Sequence, residues 1–219
     1  NMDVNILMFN NRIYGLTKGQ YSPTSEQGKK TKASPYGSID YPLNPPSLAL
    51  GAQATFVART IDRWQKHMAA MLERSYNHDG GSFIEIYQNC NIFNDGAFEE
   101  YTGAEKFSNV IELKHGEPMV FAQGTKGIKL DGFKPKVVDM EKNSIDDILI
   151  HNETDLDLAH IIANWTSHPT LPEPIGVIYC IDKTTYNQDI VNQIESAIEA
   201  KGPGNVQDLL NSGDTWVVD

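Results

Sequence analysis

A chain of 219 residues with 40% apolar content can bury a sizeable core, as one large domain or as a domain with an extension. The apolar fraction and mixed charges exclude disorder, and the net charge of −11 argues against a general nucleic-acid surface, which needs a basic face. No run reaches the roughly 18 apolar residues of a membrane span, and the first residues lack the pattern of a secretory leader, so a cytoplasmic setting without membrane contact is expected.

The first element is the continuous apolar run "VNILMFN", the pattern of a central parallel strand covered on both faces. Central strands seldom come first, so the natural protein is expected to begin upstream of Asn1. "NPPSLALGAQA" has helical spacing with Asn44 or Ser47 as caps, and "TFVAR" is a short strand. "DRWQKHMAAMLERSYNH" is an amphipathic helix, with Trp64, Met68, Met71, Leu72 and Tyr76 at three- and four-residue steps and Asp62 at its start. "GGSFIEIYQ" is the next strand. This alternation predicts a parallel, doubly wound α/β sheet, in which ligands bind beyond the carboxyl ends of the strands.

From residue 97 the pattern shifts to short strands and turns rich in Lys, Glu and Gly. We read 1–96 as one unit and 97–219 as a hairpin-rich α+β extension. It holds a helix "TDLDLAHIIANW" opened by Thr154, a strand "PIGVIYCI", a helix "NQDIVNQIESAIEAK" and a tail with one short helix.

Two loops carry more chemistry than a turn requires. "FNNRIYGLTKGQYSPTS" ends a buried strand in two amides and continues with Gly15, Leu16, Thr17, Lys18 and Gly19. Amides, a hydroxyl, a cation and two glycines within about ten residues suit a phosphate or a metal better than a plain turn. The competing reading is a strand terminator whose asparagines bond their own turn. The second loop, 88–96, places Cys90 among polar residues, whereas Cys180 lies in an apolar strand as a core filler. Both follow strand ends and could meet on one edge. Neither cysteine reads as a disulfide half. The six histidines show no metal-helix spacing, and Glu85, inside a strand, reads as a core-edge or paired carboxylate.

The first of these loops, then "TKASPYGSID" with "PLNPPSLALGAQATFVAR", and then "GGSFIEIYQNCNIFNDGAFE" resemble the β subunit of the 2-oxoacid:ferredoxin oxidoreductases. The 2-oxoglutarate-type branch is the most similar. The resemblance covers nearly all of residues 3–100, and "LPEPIGVIY" with the helix before it resembles that subunit's C-terminal part more loosely. It implies oxidative decarboxylation of a 2-oxoacid with coenzyme A, thiamine diphosphate for the carbon chemistry and 4Fe–4S clusters that pass electrons to ferredoxin. By resemblance Asn11 and the main-chain carbonyl of Ile13 hold Mg²⁺, Gly15, Leu16 and Thr17 line the thiamine diphosphate, Lys18 meets substrate, and Cys90 is one cluster thiolate. The family's Gly-Asp-Gly segment and N-terminal cysteine pair have no counterpart here. The resemblance also implies a partner α subunit that brings the glutamate needed to activate the aminopyrimidine. The reading of another class is a non-catalytic assembly module that has kept the fold and lost the cofactor.

Overall fold

The computed structural model of the chain describes residues 1–166 and 168–218. Strand β1 (Val4–Asn10) leads through a long loop to helix α1 (Pro45–Gly51), then β2 (Phe56–Ile61), α2 (Gln65–Tyr76) and β3 (Gly81–Tyr87). Two single-turn helices, α3 (Glu99–Thr102) and α4 (Lys106–Asn109), precede β4 (Val110–Leu113). Strands β5 (Val120–Phe121), β6 (Lys126–Asp131) and β7 (Lys134–Asp139) follow, then α5 (Leu156–Asn164), β8 (Glu173–Cys180), α6 (Tyr186–Lys201) and α7 (Val206–Leu210).

The α/β reading holds, with one addition. The main sheet has the order β1-β3-β2-β8-β4. β1, β3 and β2 are parallel, as the alternating elements predict, but β8 enters antiparallel to β2 and pairs in parallel with β4. The sheet therefore joins strands from both sides of residue 97. β5, β6 and β7 form a separate antiparallel meander, the expected hairpin-rich piece.

β1 departs from the central position its apolar run predicts. It pairs with β3 alone, at the sheet edge, and leaves Val4, Ile6, Leu7 and Phe9 exposed. Continuous hydrophobicity marks a strand meant to be covered on both faces; among the described residues four of its apolar side chains stay exposed. The core lies on the other strands. Val57 and Ile178 pack with Ile111, Ile162 and Trp165 on one side, and Phe56, Ile84, Ile86 and Met71 pack under α2 on the other.

Helix starts follow local chemistry. Asn44 caps α1 by accepting from the Ser47 N–H, with prolines in the first turn. Thr185 caps α6 in a reciprocal capping box with Gln188. Two expected starts are corrected. Asp155, not Thr154, caps α5, because its carboxylate reaches the Leu158 N–H while the Thr154 hydroxyl bonds Asn152. The helix read from Asp62 begins instead at Gln65, without a side-chain cap, and the Asp62 carboxylate accepts from the Asn89 N–H at 3.3 Å.

Candidate functional site

The carboxyl ends of β1 and β3 lie side by side, with Asn10 in register with Tyr87. Asn10, only 4% exposed, uses both the nitrogen and the oxygen of its amide. Its nitrogen donates to Glu85 Oε1 at 2.7 Å, and its oxygen accepts from the Arg12 N–H at 3.1 Å and the Thr24 hydroxyl at 2.7 Å. Asn11 turns the other way. Its side-chain oxygen accepts from the Ile13 N–H at 3.2 Å, so the amide does bond its own turn, and its backbone carbonyl accepts from Asn94 Nδ2 at 2.9 Å. A carbonyl-type oxygen has two lone pairs, so Asn11 Oδ1 retains acceptor capacity. No described residue donates to the Ile13 carbonyl.

Between the two amides and the buried Ile13, Arg12 adopts φ of 54°, a left-handed conformation that costs a non-glycine residue roughly 1–2 kcal/mol. The turn sends the guanidinium inward, 4.7 Å from the Phe98 ring centroid and 5.5 Å from that of Tyr87. Burial pulls its pKa down, but Tyr87, Tyr101 and Glu173 outweigh that and raise it. Arg12 also separates two cavities. One, of about 230 Å³, is lined by Asn10, Thr24, Glu26, Glu85 and Tyr87. The other, of about 440 Å³, is lined by Glu100, Tyr101, Lys126 and His168.

Residues 14–20 form a closed small loop, in which the Tyr14 N–H donates to the Gln20 carbonyl and the Gly19 N–H to the Tyr14 carbonyl. Leu16 stands 99% exposed at its tip, beside exposed Thr17 and Lys18. Lys18 makes no ion pair among the described residues. Gly19 is required where it stands: its φ is 91°, and a Cβ would lie 3.1 Å from the Phe93 ring. Gly15 carries no such demand, since a Cβ there would meet only Phe93 at 3.9 Å.

Phe93 belongs to the second loop, so the two loops meet, as their positions after β1 and β3 predict. Asn94 ties them: it accepts from Lys29 Nζ, donates to the Asn11 carbonyl, and its N–H closes the turn on the Cys90 carbonyl at 3.0 Å. Cys90 is half-buried in that turn. Cys180 lies at the opposite end of the sheet, because it pairs with Phe56 at the start of β2, and burial pushes its thiol pKa up. Among the described residues no group of three or more His, Cys, Asp or Glu is placed to hold a metal.

The feature that the sequence does not announce lies beneath the loops. Arg59, fully buried in β2, pairs with Glu85 Oε2 at 2.8 Å and with Glu173 Oε1 at 2.7 Å. Glu173 also accepts from the Tyr87 hydroxyl at 2.8 Å and the Tyr101 hydroxyl at 3.4 Å. Burial works against the Arg59 charge, but Tyr87, Glu85 and Glu173 override it and hold the guanidinium protonated; burial pushes the Tyr87 hydroxyl well above its ordinary range. Glu85 is thus the paired carboxylate of the two readings its sequence allows. An arginine inside "FVARTI" and a glutamate before "PIGVIY" were the available signals.

Residues 1–86 match the family described as "Thiamine pyrophosphate enzyme, C-terminal TPP binding domain". A 2-oxoglutarate oxidoreductase subunit KorB of Mycobacterium tuberculosis is 43% identical over 224 residues, an alignment covering 100% of this chain and 60% of the relative. The chain is homologous to the β subunits of the 2-oxoacid:ferredoxin oxidoreductases. A 2-oxoacid:ferredoxin oxidoreductase subunit beta of Aeropyrum pernix is 42% identical over 95 residues, 43% of this chain and 30% of the relative. This chain therefore spans well under two thirds of the relatives' length. Among solved structures, a 2-oxoglutarate:ferredoxin oxidoreductase from Magnetococcus marinus, with 2-oxoglutarate, coenzyme A and succinyl-CoA bound, shares the fold with a TM-score of 0.68. It is 21% identical, and the superposition covers 97% of this chain and 59% of that one.

Proposed function

We propose that this chain is part of the β subunit of a 2-oxoacid:ferredoxin oxidoreductase, with 2-oxoglutarate as the substrate. The reaction is oxidative decarboxylation with coenzyme A to an acyl-CoA and CO₂, with electrons passed to ferredoxin. The supporting observation is the joined pair of loops at the carboxyl edge. There Asn11 Oδ1 has spare acceptor capacity and the Ile13 carbonyl meets no donor among the described residues, within the stretch that matches the thiamine pyrophosphate family. Two neutral oxygens suit Mg²⁺, which accepts Asn and backbone carbonyls and completes its roughly six positions with phosphate and water.

In this reading Asn11 and Ile13 hold the metal, Gly15, Leu16 and Thr17 line the thiamine diphosphate, and Lys18 binds substrate. Bound thiamine diphosphate supplies the carbanion chemistry of decarboxylation. The chain's own task is to hold the metal-bearing diphosphate against the end of β1. Cys90 supplies one thiolate toward a 4Fe–4S cluster, which takes about four, so the cluster cannot be held by this chain's described cysteines alone. No electron-transfer step is assigned to these residues. Residues 1–96 form the thiamine-binding part and 97–219 the extension. A partner α subunit completes the site and supplies the activating glutamate, and the enzyme works in the cytoplasm. Among the described residues no helix is long and apolar enough to cross a membrane.

The test is native mass spectrometry of the assembled full-length protein with cofactors retained. Thiamine diphosphate, Mg²⁺ and iron–sulfur mass in a complex with a second subunit is the expected result. A complex that assembles without any of them would replace this reading with that of an assembly module.

A further inference from the structure

We propose that the buried pair Arg59–Glu85, acting through the Asn10 amide, is the positioning device of the loop that carries Asn11. This inference rests on the function proposed above in so far as the loop holds the cofactor.

The geometry has one direction. Glu85 spends Oε2 on Arg59 and Oε1 on Asn10 Nδ2, which fixes the plane of the Asn10 amide and aims its oxygen at the loop. That oxygen then takes a donor from each end of the loop, the Arg12 N–H at its start and the Thr24 hydroxyl at its end. A second tie lies just outside, where the Ser25 hydroxyl donates to the Arg12 carbonyl at 2.6 Å and accepts from the Ser22 N–H. Asn11 sits between these fixed points, so its side chain is aimed by its neighbours.

Stability does not explain the pair. Burying two charges costs about as much as their attraction returns, and apolar residues of the same volume commonly serve as well. What apolar residues cannot do is orient an amide. The network carries two carboxylates, Glu85 and Glu173, against Arg59 and the inward-turned Arg12, so it adds no net charge beneath the site. Its two ends differ in what they touch. The Glu85 end reaches the loop through the Asn10 amide, while the Glu173 end reaches the Tyr87 and Tyr101 hydroxyls, and Tyr87 in turn lies against the Arg12 guanidinium.

The control lies at the other end of the sheet. Asn10→Ala and Thr24→Val each cut the tie at the loop end, and Thr55→Val removes buried hydrogen bonds to Asn1 and His78, away from residues 11–25. All are made in the full-length protein assembled with its partner subunit. Hydrogen exchange of residues 11–25, the dissociation constant for Mg²⁺–thiamine diphosphate and the thermal midpoint are measured for each. All three variants should lower the midpoint. Exchange in 11–25 should rise, and cofactor affinity fall by about three- to tenfold, the range set by one hydrogen bond, in Asn10→Ala and Thr24→Val only. Thr24→Val decides the matter if Asn10→Ala does not fold. Equal changes in Thr55→Val, or unchanged exchange in the loop-end variants, overturn the proposal. If the wild type binds no thiamine diphosphate, the functional reading falls, and the exchange contrast still decides whether the pair positions the loop.

Discussion

The two ends of the main sheet both carry polar side chains, yet they use them differently. At the amino edge, Asn1 Oδ1 accepts from the Gly81 N–H and the Thr55 hydroxyl, Asn1 Nδ2 donates to the Lys183 carbonyl, and His78 bonds Thr55 at 2.8 Å. These groups spend their capacity on one another and tie strand starts together. At the carboxyl edge, Asn10 and Asn94 are spent in the same way, but what they hold in place is a loop with left-handed Arg12 and Lys18, an under-used Asn11 oxygen and a carbonyl without a donor. One edge closes a structure; the other closes a structure around spare acceptors. Polarity alone does not mark a site. Strained backbone beside unspent oxygens, held by fully spent neighbours, does.

The sharpest way to break this contrast is Asn11→Ala against Thr55→Val. If Asn11 is the metal ligand proposed above, its removal costs several kcal/mol where phosphate charge needs the metal, and should abolish retention of Mg²⁺–thiamine diphosphate in the full-length enzyme. Thr55→Val removes more hydrogen bonds at the other edge, to Asn1, His78 and the Gly81 carbonyl, and should cost about 1–3 kcal/mol of stability with normal cofactor content. Normal cofactor in purified Asn11→Ala, or equal loss in both variants, would remove the distinction between the edges.

The cysteines divide along the same line. Cys90→Ser should lower iron content and bleach the broad absorbance of a 4Fe–4S cluster in the complete enzyme. Cys180→Ser, at the amino edge and against Phe56 and Val177, should leave both unchanged. Equal iron loss would mean general destabilisation rather than ligation.

Much of this division was legible before any coordinates, and the rest was hidden for definite reasons. β1, β2, β3 and α2 announce themselves through local periodicity, and the meeting of two loops follows from parallel strands ending on one edge. The roles within the Asn pair do not. Two adjacent amides look equivalent as sequence, and only the position of Glu85 one strand over makes Asn10 the brace and leaves Asn11 available. Nothing in the short strand "TFVAR" marks Arg59 as a buried paired charge, because its second carboxylate, Glu173, lies far along the chain. The insertion of β8 is hidden for the same reason: an apolar run states that a strand is buried but not beside which neighbour or in which direction. β1 reads as a covered central strand, and among the described residues it lies at the sheet edge with β3 as its partner.

Acid should separate the two regions more gently. His151 is buried with Nε2 against the Val177 carbonyl at 2.8 Å, and burial lowers its pKa below the ordinary 6.5. His78 and His67 are lowered in the same direction, again chiefly by burial. A histidine with a depressed folded pKa takes its proton more readily unfolded. Its stabilising contribution is therefore full above the unfolded value of 6.5 and is lost as pH falls through and below it. No histidine lies in residues 10–25 or 88–96. Thermal midpoints should fall between neutral and mildly acid pH, and hydrogen exchange should show β8 and the start of β2 loosening before the two loops. A loop that opens first, or a midpoint that rises with acid, would contradict the assignment.

The smallest expected effect belongs to Lys18, the exposed cation at the tip of the site loop. A 2-oxoacid brings a carboxylate next to the reacting carbon, and that carboxylate must leave as CO₂. A fixed ammonium on it would stabilise the ground state and oppose departure, because rate follows preferential binding of the transition state. The same ammonium on the distal carboxylate of 2-oxoglutarate, or on a phosphate, strengthens binding without that penalty. An exposed pair is worth at most about 1 kcal/mol, so Lys18→Ala should raise KM for 2-oxoglutarate by about two- to fivefold. The change in kcat should be smaller, and so should the effect on pyruvate, which has no distal carboxylate. Steady-state kinetics with both acids decides. Unchanged parameters for both place Lys18 in solvent. A fall in kcat at constant KM for both places it in the chemical step, where the carboxylate argument says a fixed cation should not be.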